Sequence, residues 1–441
     1  MEIKSSYGVE IRKVNSYLSV TLRIYRKAVH DLILFYDTVW DELSGISGEL
    51  KRQNHAEHLV HSTKMNRAVY DLDSRYPKMP SYLRRSAIKH AVGAVSSYRT
   101  RLMQWEKGGR KGRKPVPGED THAMPVFYRG NMYREGEGDC AALKLYNGKD
   151  WVWVKAALLH TDMEYLRKRW TGVKASAPVL EKRHRKYFLR FTYEEERELG
   201  RKPVREQKVC AVDLGINTDA VCSIMKADGT VCVRKFINFA DEKDRLWKVL
   251  NRIRKKNREH GPKSAVSLWK YAARCNDGLA KKTAAAIVGF AEENHADVIV
   301  FEHLDMKGKV RGKRKARLHM WKKRGVQKTC GHMAHRKGMR IARVCAWKTS
   351  RLAYDGSGEV ERDPDNHSLC TFTNKKRYNC DLSASYNIGA RYFIRELTKP
   401  MPATAWSVLE AEVPAVRRRS SCVYADLVKL SAVMRGNGLT A

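Results

Sequence analysis

The chain has 441 residues, and its 86 Lys plus Arg against 48 Asp plus Glu give a formal net charge of +38. So large an excess of cations repels itself in a compact state and requires a polyanionic partner, for which nucleic acid is the natural choice. A membrane protein is excluded because the longest apolar run, near 284–291, is far shorter than the ~20 residues that cross a bilayer. We therefore expect a nucleic-acid-binding protein of about two to four domains, without a membrane partner.

The cysteines and the first residues both predict a cytoplasmic protein. The sequence Met1–Ser6 has no apolar signal core, and the ten cysteines are scattered singly. Cys210, Cys222 and Cys232 lie within predicted strands, which is typical of reduced core residues and not of a disulfide framework.

The first half of the chain changes from helical to strand periodicity. A short strand at Val9–Lys13 precedes stretches with apolar residues at helical spacing: Ser16–Leu43, Ser62–Leu72 and Ser81–Trp105. Strands are predicted after them, with Asn147-Gly148 as a hairpin turn, at 141–146, 151–155, 173–180 and 186–193. We expect a β-barrel-like module of residues 1–13 and 119–205, with residues 14–118 inserted into it as a helical lobe.

The helical lobe ends in a basic loop at Lys107–Gly118. Glycines and prolines alternate there with Arg110, Lys111, Arg113 and Lys114. Two interpretations are equally supported, a solvated linker and a loop that contacts phosphates.

An acidic residue ends the most apolar strand of the chain. Lys208–Asp213 reads as a central strand covered on both faces, Gly215 permits a reversal, and Thr218–Ile224 returns beside it. A carboxylate on a buried strand is costly unless a cation neutralises it, so Asp213 predicts a metal ligand that needs further carboxylates.

Two later stretches offer those carboxylates. Glu302 follows a short apolar strand that begins near Ala296, after an amphipathic helix at Asn276–Asn294. Asp381 opens a helix with apolar residues at i, i+3, i+4 spacing. For any one of these acids alone, a solvated strand end or a helix N-cap is the more ordinary interpretation.

Two further segments are strongly basic. A predicted helix at Asp244–Arg258 carries a cluster of cations at its end: Arg252, Arg254, Lys255, Lys256 and Arg258. The segment Lys307–Arg340 has fourteen Lys or Arg and no acid, including Lys313, Arg314, Lys315 and Arg317. We expect both to bind nucleic acid, and we expect Lys307–Arg340 to become ordered only when phosphates replace the missing acids. Its Cys330, His332 and His335 are either incidental residues of a helix or three zinc ligands.

Taken together, the three acidic motifs resemble the split RuvC nuclease domain of TnpB proteins and the miniature type V CRISPR effectors related to them. The matching segments are Asp213-Leu-Gly-Ile-Asn217, Glu302-His-Leu304 and Asp381-Leu-Ser-Ala-Ser-Tyr-Asn387-Ile388. Ser383 stands where the family usually has Asn. The resemblance covers about 207–396 well and the first half loosely, where the position of the β module resembles the family's wedge domain.

The resemblance implies a multidomain α+β and α/β protein. Its nuclease domain would be an RNase H-like (RuvC) mixed sheet with flanking helices, split into 206–344 and 379–400. A ribbon insertion would occupy 345–378, and 401–441 would be a C-terminal tail. The basic helix at 244–258 lies where the family has a basic segment that contacts nucleic acid.

In the family the ribbon holds zinc through two Cys-x-x-Cys pairs, and both pairs are broken here. Cys345, Cys370 and Cys380 remain, with His367 as a further candidate, but no spacing supports a four-ligand site. We predict a metal-free hairpin closed by Asp355–Gly358. Its packing residues would be Leu352, Val360, Leu369 and Phe372.

The implied activity is RNA-guided DNA cleavage. Asp213 would bridge two Mg²⁺ or Mn²⁺ ions, and Glu302 and Asp381 would complete their ligands, because hard oxygen donors favour these ions over zinc. The implied partners are a guide RNA and a target DNA. Two alternatives are a guide-dependent DNA-binding protein that does not cut, favoured mildly by the broken ribbon, and a transposon-associated accessory protein or transposase.

Overall fold

A computed structural model describes residues 1–118, 122–261, 264–303 and 323–436. The chain divides into two compact units. One spans Glu2–Glu195, here called the N-terminal unit, and the other comprises Met1 with Glu196–Ala441, here called the C-terminal unit. In the described part of the chain, no helix combines the length and the apolar character that crossing a membrane requires.

The N-terminal unit contains a six-stranded sheet in the order β2-β3-β4-β1-β6-β5. Its strands are β1 Glu2–Arg12, β2 Tyr133–Glu135, β3 Cys140–Tyr146, β4 Trp151–Leu158, β5 Val179–Arg183 and β6 Lys186–Glu196. Its helices are α1 Asn15–Thr38, α2 Trp40–Gly45, α3 Glu49–Val60, α4 Leu72–Arg75, α5 Ser81–Lys107 and α6 His160–Arg169. One hydrophobic core joins the helices to the sheet.

Local sequence explains the main elements of this unit. Most of the apolar stripe of α1 is buried, although Leu34, which the helical spacing assigns to it, is 49 % exposed. Tyr25 of this helix shares a hydrogen bond of 3.0 Å with Ser86 of α5. The β3–β4 turn has Gly148 at φ +107°, a conformation that favours glycine, and the Asn147 side chain accepts two backbone N–H bonds there.

Two predictions for this unit need correction. Residues 62–71 form turns and an isolated bridge, and the helices of this region are α3 and α4. The Asn66 side chain donates to the carbonyl oxygens of His58 and His61 at the end of α3, which holds the chain in a turn. The predicted strand at 173–180 begins only at Val179, and Ala175 makes a single bridge to Tyr193.

The C-terminal unit is built on a five-stranded sheet in the order β11-β10-β7-β8-β9. The strands are β7 Lys208–Asp213, β8 Ala220–Lys226, β9 Val231–Ile237, β10 Val298–His303 and β11 Arg340–Cys345. Strands β7, β8 and β9 pair antiparallel, whereas β10 is parallel to both β7 and β11. Three antiparallel strands followed by two parallel ones, with the first strand central, confirm the predicted RNase H-like mixed sheet.

Helices cover both faces of this sheet. They are α7 Ala240–His260, α8 Val266–Glu293, α9 Lys323–Arg336, α10 Cys380–Thr398, α11 Ala403–Glu412 and α12 Tyr424–Gly436. Alternate residues of β7 explain the two layers: Val209 and Ala211 pack with α10, α11 and α12, while Cys210 and Val212 pack with α8 and α9. A three-stranded sheet, β12 Glu361–Arg362, β13 Leu369–Thr371 and β14 Arg377–Asn379, precedes α10.

Helix α10 lies unusually close to the sheet. An added Cβ on Gly389 would come within 2.4 Å of the Met225 sulfur and 3.2 Å of the Ala211 Cβ. Glycine at this position therefore sets the distance between α10 and the β7–β8 pair.

One expectation for this unit also changes. The stretch from 401 is not an appended tail, since Leu409, Val413 and Leu427 lie in the core of the sheet and α10. In the basic segment Lys307–Arg340, residues 323–336 form α9, and Val326, Cys330 and Ala334 of this helix pack in the other core. The ordering of this segment by nucleic acid stays a prediction. Residues 304–322 lie outside the described residues.

Candidate active site

Strand pairing brings Asp213 and Glu302 to the same edge of the sheet. Val212 on β7 is the register partner of Phe301 on β10, and each acid is the next residue of its strand. Because the two strands are parallel, both acids lie at carboxyl ends. Each is 8 % exposed, as expected for side chains at the end of a buried strand.

Helix α10 supplies the third carboxylate from its first turn. Asn379 caps the helix by accepting the Leu382 N–H at 2.9 Å, and Asp381 follows the cap. A helix N-terminus stabilises negative charge, which suits an acid at this position.

The three carboxyl groups influence one another's ionisation. Burial raises the pKa of Asp213 well above its usual range, and the negative charges of Glu302 and Asp381 raise it further, while Arg362 opposes them. Burial also raises the pKa of Glu302 and of Asp381. The cluster thus carries unfavourable mutual charge that a bound cation would relieve.

The donor chemistry of the three acids fits a hard divalent cation such as Mg²⁺ or Mn²⁺, because all their ligand atoms are carboxylate oxygens. Among the residues that the structure describes, however, no three Asp, Glu, His or Cys side chains are gathered closely enough to hold a metal ion as they stand. The carboxylates would have to converge further on an ion.

Glu302 is oriented by two neighbours that sequence reasoning missed. The Thr349 hydroxyl donates a hydrogen bond to the Glu302 carboxylate, and Gln327 Nε2 donates to the Glu302 carbonyl oxygen at 2.9 Å. Thr349 is 2 % exposed and lies in the turn after β11, far from Glu302 in sequence. In the sequence, Thr349 is part of a Thr-Ser dipeptide, and nothing in that pattern links it to Glu302.

Asn387 of α10 connects this turn to the C-terminal helices. Its Nδ2 donates to the carbonyl oxygens of Thr349 at 3.0 Å and Leu352 at 2.9 Å, and its Oδ1 accepts the Tyr424 N–H at 3.0 Å. Asn387 is fully buried. The third acidic motif therefore provides two residues of the site. One is Asp381, and the other is Asn387, which fixes the turn that carries Thr349.

Buried Arg391 makes a second connection one helical turn later. Its guanidinium donates to the carbonyl oxygens of Cys345, Trp347 and Cys422 at 2.7–2.9 Å. Ser383, which replaces the usual Asn of the family motif, accepts the Tyr354 N–H at 3.2 Å. Helix α10 thus holds the whole 345–354 segment against the sheet.

The region predicted as a ribbon hairpin is a small three-stranded sheet with its own core. Phe372 and Val360 pack in that core with Cys370, Cys380 and Tyr354, whereas Leu352 and Leu369 are only half-buried outside it. The Cys370 thiol donates to the Tyr378 carbonyl oxygen at 3.5 Å, and the Cys380 thiol and burial raise the pKa of Cys370. Cys345 is exposed at the end of β11. The charge of Arg362 on β12 opposes the rise in the pKa of both Asp213 and Asp381, and no sequence signal predicted this residue.

The predicted nucleic-acid-binding residues lie in both units. Arg110, Lys111, Arg113 and Lys114 are exposed in the N-terminal unit. In the C-terminal unit, the α7 basic run comprises Arg252, Arg254, Lys255, Lys256 and Arg258, of which all but the half-buried Lys256 are exposed. Lys313, Arg314, Lys315 and Arg317 lie outside the described residues.

The Cys330, His332 and His335 group lies on α9. Cys330 is buried in the core, with its sulfur 3.7 Å from the Ala284 carbonyl oxygen, whereas His332 is exposed. Burial and His332 lower the pKa of His335. The helix therefore directs the cysteine inward and the first histidine outward.

Comparison with known proteins finds similarities of low sequence identity. A family model described as the Aq_aa04 family matches residues 5–147. No curated protein matches the chain. Among solved structures, a Cas12f1–sgRNA–target DNA complex is 13 % identical with a TM-score of 0.49, over 77 % of this chain and 74 % of that chain. A CRISPR-Cas12f ternary complex is 16 % identical with a TM-score of 0.33, over 85 % and 80 %. An AacC2c1–sgRNA binary complex is 11 % identical with a TM-score of 0.40, over 86 % and 71 %.

Proposed function

We propose that this chain is an RNA-guided, metal-dependent endonuclease that hydrolyses phosphodiester bonds of DNA. The observation that carries the proposal is the convergence of three acids from distant parts of the sequence: the register of β7 and β10 places Asp213 and Glu302 side by side at the strand ends, and the charges of Glu302 and Asp381 both raise the pKa of Asp213. A folded protein keeps like charges together at a cost, and such clusters are typical of functional sites.

In this proposal Asp213, Glu302 and Asp381 supply oxygen ligands for two Mg²⁺ or Mn²⁺ ions. When bound, the ions would activate water and stabilise the leaving 3′ oxygen. Thr349 and Gln327 hold the side chain and backbone of Glu302, so this ligand would lose little freedom on binding. Arg362, whose charge reaches Asp213 and Asp381, would attract the phosphate of the substrate.

The guided mode of action is supported by the motif resemblance. The net charge of +38 suits a nucleic-acid-binding protein and does not by itself distinguish RNA from DNA. The α7 basic run and the loop at 110–114 provide exposed cations for such contacts.

The test is cleavage by the full chain purified with its co-expressed RNA. Asp213→Ala is expected to abolish cutting of a matched plasmid in Mg²⁺ while leaving RNA and DNA binding nearly intact, because it removes a proposed metal ligand and no phosphate-binding cation. Undiminished cutting by this variant would remove the catalytic assignment. Tight guided binding by the wild type without cutting would instead favour the binding-only alternative.

Sequencing the co-purified RNA tests the guided part separately. A discrete RNA that contains a segment complementary to the cleaved DNA is expected. Cleavage that persists after this RNA is digested would leave a nuclease without a guide.

A further inference from the structure

A cavity of about 300 Å³ in the C-terminal unit lies on the α8–α9 face of the sheet, at the end of β7 where strand alternation places the carboxylates on the opposite, α10 face. Its wall begins at Leu214, the residue that follows Asp213, and continues through the turn to Asp219. Helices α7 and α8 provide the other sides, with Leu246, Leu250 and Leu279 as apolar lining. The proposed mechanism assigns no role to this cavity.

The cavity contains an accessible aromatic ring. Trp247 of α7 lines it and remains 41 % exposed, although an indole of this size usually lies deeper. The Arg254 guanidinium, which belongs to the α7 basic run, stands 4.8 Å from the centre of the Trp247 ring. An exposed indole beside a cation is the arrangement on which unpaired bases stack while their phosphates contact the basic group.

The polar groups of the cavity favour a base over a phosphate. Asp219, Asp244 and Lys243 all line it, so two acids stand against one cation, and that cation lies 3.3 Å from Asp219. Asp219 also accepts the Phe239 N–H at 2.7 Å. Carboxylates repel a phosphate but accept hydrogen bonds from the ring N–H and amino groups of a nucleobase. The amide of Asn276, which is 5 % exposed, also lines the cavity.

Its size also limits the occupant. Ligand cavities span about 300–1,000 Å³, and this one stands at the lower end of that range. One heterocycle with its sugar fits this volume better than an extended cofactor or a helical peptide.

We propose that this cavity takes one unpaired nucleobase of the nucleic-acid strand that approaches the carboxylates, stacked on Trp247. The inference rests on the proposed function, since it treats that strand as the substrate. A base held in the cavity, whose wall begins one residue after Asp213, would anchor the strand at this end of the sheet. The strand must be single or locally opened for the base to enter.

The experiment measures binding without cleavage. The full-length protein is titrated in EDTA with a single-stranded DNA of about 16 nucleotides, a length within one ssDNA-binding site, that carries 2-aminopurine at successive positions. The wild type is expected to quench the fluorophore at one preferred position. Trp247→Ala is expected to remove that quenching and to weaken binding about 5- to 150-fold, the loss of one stacked base.

Two further variants separate the cavity from general effects. Trp269→Ala is the matched control, because Trp269 on α8 is 44 % exposed and does not line the cavity. The affinity of this variant for the single-stranded DNA should stay within about twofold of the wild-type value. Ala280→Leu keeps Trp247 and fills the cavity from α8, so it should weaken binding as Trp247→Ala does.

Equal losses in Trp247→Ala and Trp269→Ala, or unchanged quenching in Ala280→Leu, would overturn the base cavity. Neither result depends on catalysis, since EDTA removes the ions. A failure of the nuclease proposal would be seen instead as undiminished cutting by Asp213→Ala.

Discussion

Replacing Asn387 with leucine tests how α10 supports the site. The two side chains have similar size, but leucine makes none of the three hydrogen bonds to Thr349, Leu352 and Tyr424. Each buried backbone group left unpaired costs about 1–3 kcal/mol. We expect a total near the low end, about 3 kcal/mol, because Leu352 is half-buried and its carbonyl can take water.

The loss is measured by urea unfolding of the full chain, followed by circular dichroism. About 3 kcal/mol is a large part of the 5–15 kcal/mol that stabilises a typical domain. Cleavage should also fall, because the turn that Asn387 holds carries Thr349, which orients Glu302. Faster hydrogen exchange of the Tyr424 amide would report directly that its hydrogen bond to position 387 is gone.

Ser385→Ala is the control for this variant. Ser385 is equally buried on α10, but its hydroxyl donates only to the Leu382 carbonyl within the helix, at 2.8 Å. We expect a loss of at most about 1 kcal/mol and unchanged cleavage. If Asn387→Leu behaves like Ser385→Ala in both assays, the connecting role of Asn387 is refuted.

Two other predictions concern charge and packing. Charge reversal at positions 254–256 of the α7 basic run should lower the slope of log affinity against log salt by about 0.7–0.9 for each phosphate that the protein no longer neutralises; an unchanged slope would make α7 a solvated face. Gly389→Ala should destabilise the protein by about 1–3 kcal/mol in thermal unfolding, because the new Cβ meets the Met225 sulfur. The matched Gly289→Ala, with nothing within 4 Å of its Cβ on α8, should instead be neutral or stabilising by up to about 1 kcal/mol, and similar losses in both would argue against close packing at Gly389.

The elements that carry the acids were predictable because their signals are local. The apolar run before Asp213 and the helical spacing after Asp381 each lie within one element, so they identify β7 and α10 directly. The register of β10 beside β7 then follows from the fold that the motifs imply. Catalytic and metal-binding roles for Asp213, Glu302 and Asp381 remain predictions.

The supporting contacts were not predictable, because they join residues that only the folded chain brings together. Thr349 and Arg362 have no periodicity that distinguishes them from other turn or surface residues. The C-terminal helices were missed for a related reason. In the sequence, Leu409 and Leu427 are scattered apolar residues. In the fold, α10 provides the surface that buries them.

The same dependence on distant residues has a consequence for synthesis of the chain. Translation at about 5–20 residues per second needs on the order of 10–40 seconds to proceed from Asp213 to Tyr424, whose amide completes the Asn387 hydrogen bonds. For most of that interval β7 and β8 have been synthesised and α10 has not, so the apolar face that these strands share with α10 stays uncovered. The nascent chain also lacks a complete set of carboxylates. An enzyme assembled in this order would remain inactive toward the nucleic acid around the ribosome until its last helices have folded.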